Sequence, residues 1–252
     1  MNSNSLVSMK NISKSFGSIE ALKNANFDLN KGEIVGLAGD NGAGKSTLVK
    51  ILAGVFPYDS GEIFLEGNEV KLSSPKEAIQ LGIESIYQDL ALFEDMDLSR
   101  NIFIGREPVK NKLGGLIKNL DKETMNRETL NALKMIKINI TDTSQLVHTL
   151  SGGQRQSVAV ARAVYFRAKI VIMDEPTAAL SVKEVQKILD LALELKAEGI
   201  GVIIITHNLH HMFSVADRIT VLQNGTLAGN KKIKDTNIKE IENLIIGGHE
   251  ED

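Results

Sequence analysis

An α/β fold is what this sequence predicts, with an antiparallel β subdomain at its N terminus and a helical subdomain inserted in its middle. Three observations point there. Residues 34–38 (IVGLA), 169–173 (KIVIM) and 201–205 (GVIII) are short apolar runs, two of them rich in β-branched residues, of the kind buried on both faces of a parallel sheet. Between the first run and a helix-like stretch at 46–53 lies GDNGAGKST, residues 39–47. From residue 89 to about 149 the apolar spacing turns helical. Strands alternating with helices around such a loop make an α/β core.

Composition narrows the class. At 252 residues and 42% hydrophobic content the chain can bury one sizeable core with a subdomain hung on it. The formal charge, 29 − 32 = −3, proposes neither nucleic acid nor an anionic membrane surface as a partner. With no cysteine there are no disulfides and no thiolate metal sites, which is compatible with a reducing compartment. The apolar runs fall well below the roughly 18–20 residues that span a bilayer, and the polar N terminus lacks a signal-peptide core, so the chain is expected to be soluble and to reach a membrane only through a partner.

Residues 6–12 and 25–29 alternate apolar and polar side chains and are expected to be antiparallel strands flanking the strand at 34–38, with a turn at Phe16, Gly17 and Ser18. After the helix at 46–53, Pro57, Asp59, Ser60 and Gly61 form a turn, and residues 62–65 followed by Glu66, Gly67 and Asn68 read as a hairpin. Ser74-Pro75-Lys76-Glu77 is a capping box with proline at the first helical position, opening a short helix that Gly82 closes. Residues 83–87 are a further strand ending on Gln88. Within the helical region Asp121 is placed to cap a helix, after a polar, glycine-bearing loop at 110–119. Ser151 caps a helix at 154–165, residues 184–197 form an amphipathic helix, and residues 238–246 form a tail helix ended by Gly247 and Gly248. The expected organisation is one domain, 1–252: a nucleotide-binding core with its β subdomain at 1–88 and 161–230, an inserted helical subdomain at 89–160, and a C-terminal tail at 231–252.

The loop at 39–47 fits G-x-x-x-x-G-K-[ST] in the strand-to-helix context that motif requires, which makes it a P-loop and the core a P-loop NTPase of RecA-like type. Gly39, Gly42 and Gly44 let the backbone curl, so that the amides of Asp40, Asn41, Ala43 and their neighbours turn inward under the positive end of the next helix. Lys45 supplies a mobile charge to the β/γ-phosphates, and Ser46, followed by Thr47, offers a hydroxyl to a Mg²⁺ that keeps most of its waters. ATP or GTP is the expected ligand.

KIVIMDEP places Asp174 and Glu175 directly after an apolar strand, where the carboxyl ends of a parallel sheet line the ligand crevice. Asp174 suits the Mg²⁺ shell, mainly through water. Glu175, pointing elsewhere because side chains alternate, suits a base acting on the attacking water. Thr206-His207 follows another apolar strand, where an imidazole could contact the γ-phosphate or be simply solvated. Phe16 could stack on a purine or pack into the core. His210 and His211 fall on the turn after His207 and receive no role, and the three histidines lack the carboxylate pattern of a zinc site. Leu150-Ser151-Gly152-Gly153-Gln154 offers a hydroxyl and glycine amides at a helix start, a second anion site. Unless the two sites converge within a monomer, they are best used by two chains head to tail.

Taken in order, Phe16, the P-loop, Gln88, LSGGQ at 150–154, KIVIMDE with Glu175, and His207 resemble the ATP-binding subunit of an ATP-binding cassette (ABC) transporter, over nearly the whole chain. The resemblance implies that Phe16 stacks on adenine, Gln88 senses the metal and the membrane partner, Glu175 acts on water and His207 contacts the γ-phosphate. Ser151 and Gly153 would serve the ATP of the opposite subunit. Residues 87–93 (YQDLALF), 175–181 (EPTAALS) and 206–213 (THNLHHMF) are most similar to importers of monosaccharides such as ribose, xylose or fructose. Implied partners are a second copy of the chain, transmembrane permease subunits and, indirectly, an extracytoplasmic sugar-binding protein, with no nucleic acid; the implied location is cytoplasmic, peripheral on the inner face of the cell membrane. Two departures stand out. Many ATPases of that group carry two cassettes and this chain carries one, and Ser181 stands where the family often has Asp, reading instead as an N-cap completed by Glu184. An ABC-type ATPase working on DNA or ribosomes would need a long coiled-coil insertion or a second cassette. An inactive regulatory module would not need Lys45, Asp174, Glu175 and His207 together.

Overall fold

The computed structural model describes residues 5–86, 92–112, 117–177 and 181–247. The chain divides into two compact units, one made of residues 1–87, 168–178 and 189–252 and the other of residues 88–167 and 179–188.

The first unit holds two sheets. Strands β1 (Ser5–Phe16), β2 (Ile19–Asn30), β4 (Ser60–Leu65) and β5 (Asn68–Glu69) form an antiparallel sheet in the order β2-β1-β4-β5. β1 and β2 are longer than their alternation indicates. Register shifts between Met9 and Ile12 and again up to Ser15 break the two-residue period, and left-handed Asn11 and Asn24 sit within the irregular stretch. Phe16 is therefore the last residue of a strand, paired with Ile19 across Gly17 and Ser18, and not part of the turn itself. The β4–β5 hairpin follows its sequence signal: Glu66 and Gly67 both have positive φ, as a two-residue type I′ turn demands.

The second sheet runs β12-β11-β3-β10-β9-β6, built from β3 (Ile34–Ala38), β6 (Ile83–Ile86), β9 (Ile170–Asp174), β10 (Gly201–Ile205), β11 (Arg218–Gln223) and β12 (Thr226–Lys232). All neighbours are parallel except β12, which returns antiparallel on β11. β3 and β10 are buried along their whole length, which is why they carry no polar alternation. Two glycines let neighbours come close. A Cβ on Gly201 would meet Leu6 and Leu29 at 2.8 Å, and one on Gly36 would meet Met212 Sδ at 2.9 Å.

Helices cover this sheet. α1 (Lys45–Leu52) leaves the P-loop, and α2 (Pro75–Gln80) starts at Ser74, whose Oγ accepts from Glu77 N at 3.3 Å. The reciprocal arm of that box goes one residue further back, with Glu77 Oε2 accepting from Ser73 N at 2.9 Å. α7 (Leu209–Val215) and α8 (Ile238–Ile246) pack with β11 around Met212, Ile219, Val221 and Ile241, and α8 ends at left-handed Gly247. Arg218 ties the sheets together. Its guanidinium donates to Glu33 Oε1 (2.9 Å) and Oε2 (3.1 Å), Asp28 O (2.9 Å) and Oδ2 (3.0 Å), and Asn230 Oδ1 (2.9 Å).

The second unit contains α3 (Leu98–Phe103), α4 (Lys122–Met135) and α5 (Gly152–Tyr165) around Ile102, Phe103, Met125, Leu133 and Val158. Asp121 caps α4, accepting from Thr124 N at 3.1 Å. Buried Asn101 folds the preceding loop over itself: its Oδ1 accepts from Phe93 N, and its amide donates to the carbonyls of Phe93, Met96 and Asp97. The stretch expected to be a polar loop is a two-stranded hairpin, β7 (Val109–Lys112) with β8 (Ile117–Leu120). α6 (Val182–Ala197) is divided between the units. Among the described residues, no helix is long and apolar enough to cross a membrane.

Candidate active site

β3, β9 and β10 end on the same edge of the parallel sheet, and the residues that leave those ends build the site. The loop after β3 is a cradle of left-handed glycines: Gly39, Gly42 and Gly44 have φ of 148°, 80° and 101°. Gly44 needs more than its dihedral freedom, because a Cβ there would lie 2.7 Å from Ala21 O and from Leu22 Cδ2. Ala43 N donates back to Asp40 O at 3.1 Å, and Gly225 N donates to Ala43 O at 3.1 Å, fixing the cradle to the β11–β12 turn. Ser46 is exposed one residue into α1, with Thr47 beside it.

Lys45 is buried and folded over its own loop, donating to the carbonyls of Gly39 at 2.8 Å and Asp40 at 2.9 Å. Burial lowers its pKa, opposed by the charges of Glu175, Asp40 and Asp174. A polyanion in the cradle would give the ammonium a better partner than two carbonyl oxygens. Burial pushes the Asp174 carboxyl above its ordinary value, with Lys50, Lys45 and His207 pulling it back. Burial also raises Glu175; His207 opposes this through its charge and a backbone hydrogen bond, while neighbouring Asp174 adds to it. Two carboxylates and a lysine thus share a desolvated corner, an arrangement typical of reactive sites.

The direction of Glu175 has a different origin from the one alternation proposes. β9 ends at Asp174, and Glu175 adopts φ +51°, left-handed for a residue with no local reason to be so. Such a conformation costs about 1–3 kcal/mol, and the observed outlier points to function. Its N–H donates to Ile205 O at 2.9 Å, and Oε1 lies 3.2 Å from His207 Nε2. The Glu175 side chain is 17% exposed and that of His207 63%, so the acid is fixed and the imidazole reaches toward solvent.

Phe16 is half-exposed at the end of β1, its ring edge-to-face with Phe56 at 5.2 Å and 72°. Asp59 holds the strand end that carries it, accepting from Ser15 N at 2.6 Å and Lys14 Nζ at 2.9 Å. The sequence motif marks neither residue for the site: Asp59 reads only as part of the turn at Pro57–Gly61, and Phe56 stands just ahead of that turn. The sequence assigns no role to the side chains of Thr177 and Thr206, buried hydroxyls 3.4 Å apart in the segments that carry Glu175 and His207. Among the described residues no group of three or more His, Cys, Asp or Glu side chains could cage a metal. The donor set fits a magnesium ion held by a hydroxyl, water and phosphate oxygens.

In the second unit Ser151 and Gly153 open α5. Ser151 is exposed and makes a full capping box, with Oγ accepting from Gln154 N at 3.3 Å and its own N–H donating to Gln154 Oε1 at 3.0 Å. Ser157 Oγ donates to Gly153 O at 2.9 Å, and Arg155 Nη1 to Leu150 O at 2.8 Å, which holds the glycine turn in place. Ser181 O accepts the first backbone bond of α6 from Val185 N, the N-cap position expected of it. Gln88 lies outside the described residues.

A glycine cradle with its lysine, a half-buried carboxylate pair and a histidine at the edge of a parallel sheet define a P-loop ATPase. Comparison with known proteins narrows this. Residues 22–178 match the family model described as ABC transporter. The Xylose/arabinose import ATP-binding protein XylG of Sulfolobus acidocaldarius is 50% identical over 95% of this chain and 93% of its own length. The Fructose import ATP-binding protein FrcA of Rhizobium meliloti is 45% identical over 86% of this chain and 84% of its own. Among solved structures, the dimeric ATP-binding cassette MJ0796 bound to ADP and Pi in a post-hydrolysis state aligns with TM-score 0.75 and 27% identity, covering 92% of this chain and all of that one. The chain belongs to the ABC transporter family, as its ATP-binding and ATP-hydrolysing cassette.

Proposed function

We propose that this chain powers the import of a monosaccharide by closing, as a pair of identical cassettes, around two ATP molecules. The observation that carries the sugar reading is its similarity, across nearly the full length of both chains, to the xylose/arabinose and fructose import proteins. An ATPase working on nucleic acid or ribosomes is not favoured, since those relatives are import proteins. The dimeric state of the MJ0796 cassette supports pairing. On this reading the cassettes sit on the cytoplasmic face of the membrane, docked on permease subunits that receive sugar from an extracytoplasmic binding protein.

Each residue then has a task. Phe16, backed by Phe56, stacks on adenine. The amides of residues 39–47 and the start of α1 bind the phosphates, and Lys45 leaves its two carbonyls for the β/γ-phosphates. A magnesium ion would be held by Ser46, by Asp174 through water and by Gln88, and when bound it supplies charge neutralisation at the β/γ-oxygens. Glu175 accepts the proton of the water whose oxygen bonds to the γ-phosphorus as the bond to ADP breaks. His207, 3.2 Å away, orients Glu175 and contacts the γ-phosphate. Ser151 and Gly153 reach the γ-phosphate of the partner copy's ATP, so that ATP binds the closed pair better than the open one and this difference moves the permease.

The test is reconstitution with the permease pair in liposomes, with binding protein loaded in turn with xylose, arabinose, ribose and fructose. ATP hydrolysis should rise severalfold with one of these sugars. A rate indifferent to all four would sink the monosaccharide reading.

A further inference from the structure

Besides the backbone bond from Glu175 to Ile205, a ring of polar side chains ties the loop after β9 to the loop after β10. The backbone donors to Asn208 fix the direction of the bonds at Asn208 and His211. Asn208 Oδ1 accepts from the backbone N–H groups of His210 (3.0 Å) and His211 (3.4 Å), so its NH2 group faces His211 Nε2 at 3.2 Å. Nε2 must accept there. The imidazole therefore carries its proton on Nδ1, which donates to Thr177 Oγ1 at 3.3 Å. Thr177 Oγ1 and Thr206 Oγ1 share a hydrogen bond at 3.4 Å that either hydroxyl can donate, and Thr206 Oγ1 also accepts from Asn208 N at 3.2 Å, which closes the circuit. Both threonines are buried. Thr177 is two residues beyond Glu175, and Thr206 adjoins His207.

We infer that His211 is a positioning residue for ATP hydrolysis: held as the neutral Nδ1–H tautomer, it locks Thr177 against Thr206 and so sets the separation of Glu175 from His207. The bonds are long, so each adds little to stability; what they supply together is the relative placement of two loops whose reacting groups must meet within a fraction of an ångström. This inference rests on the reading that Glu175 and His207 carry the hydrolysis.

The test is steady-state ATPase kinetics of the full chain. His211→Phe fills the ring volume without nitrogens, and should lower kcat between about five- and fifty-fold while the KM for ATP stays within about twofold. His211→Asn, which can present an N–H where Nδ1 stood, should recover part of that loss. Thr177→Val removes the same bond from the other side, so the double variant His211→Phe/Thr177→Val should be no slower than the slower single variant. Wild-type kcat in His211→Phe, or losses that multiply in the double variant with no recovery in His211→Asn, would overturn the inference. Glu175→Gln and His207→Ala, measured alongside, separate the two levels: if both keep wild-type rates, the reading of the site itself fails.

Discussion

Replacing Glu175 with Gln separates its chemistry from its conformational cost. Gln fills the same volume, keeps an oxygen where Oε1 now lies 3.2 Å from His207 Nε2, and suffers the same left-handed backbone at φ +51°. It cannot take a proton from water. Loss of a positioned base is worth about 10²–10⁴ in rate, roughly 3–5 kcal/mol of barrier, so phosphate release should fall by at least ~100-fold with nucleotide binding intact. Stability should move the opposite way. Burial holds the Glu175 pKa above its unfolded value, so the folded state disfavours the ionised carboxylate. That deficit is fully present above the raised folded pKa and disappears below the ordinary glutamate value. Glu175→Gln should therefore melt higher than wild type at neutral pH, and the difference should close as pH falls toward about 4.5. Phosphate release within about threefold of wild type, or a lower melting temperature at neutral pH, would refute the role and the electrostatics respectively.

Other outcomes follow from the same structure. The acid limb of the wild-type rate profile should lie above the ordinary glutamate range, because the raised pKa protonates the base early; a limb at or below that range would contradict it. Arg218→Met should cost about 3–5 kcal/mol in urea unfolding, since it strands Glu33, whose side chain is only 14% exposed, without its cation. Thr220 Oγ1 is buried and has no hydrogen-bond partner among the described residues, so Thr220→Val should stabilise the chain by about 1 kcal/mol in the same assay.

The parts legible in the sequence were those whose signal is local. The glycines and Lys45 of the cradle, the caps at Ser74, Asp121 and Ser151, and the wholly apolar β3 and β10 each rest on a few adjacent residues and stand where their pattern puts them. What escaped depends on register or on distant partners. The shifts in β1 and β2 leave no regular alternation to read. The β7–β8 hairpin occupies a lysine- and asparagine-rich stretch whose paired Val109 and Leu120 stay exposed, so no buried face fixes its register and the sequence reads as a loop. Strand alternation assigns Glu175 a direction, yet its position comes from a single left-handed residue tied to the neighbouring strand. The circuit through Thr177, Thr206 and His211 joins residues up to 34 positions apart, which no motif spacing encodes.

The pairing of two incomplete sites is tested most directly by mixing two disabled chains. Lys45→Ala destroys the cradle and Ser151→Arg the groove offered to the partner, so each variant alone should hydrolyse almost no ATP. In an equimolar mixture about half of the pairs are hybrids, and each hybrid places both lesions in one site and leaves the other whole. Recovery to about a quarter of the wild-type rate is expected. A mixture no faster than the two variants measured apart would contradict it.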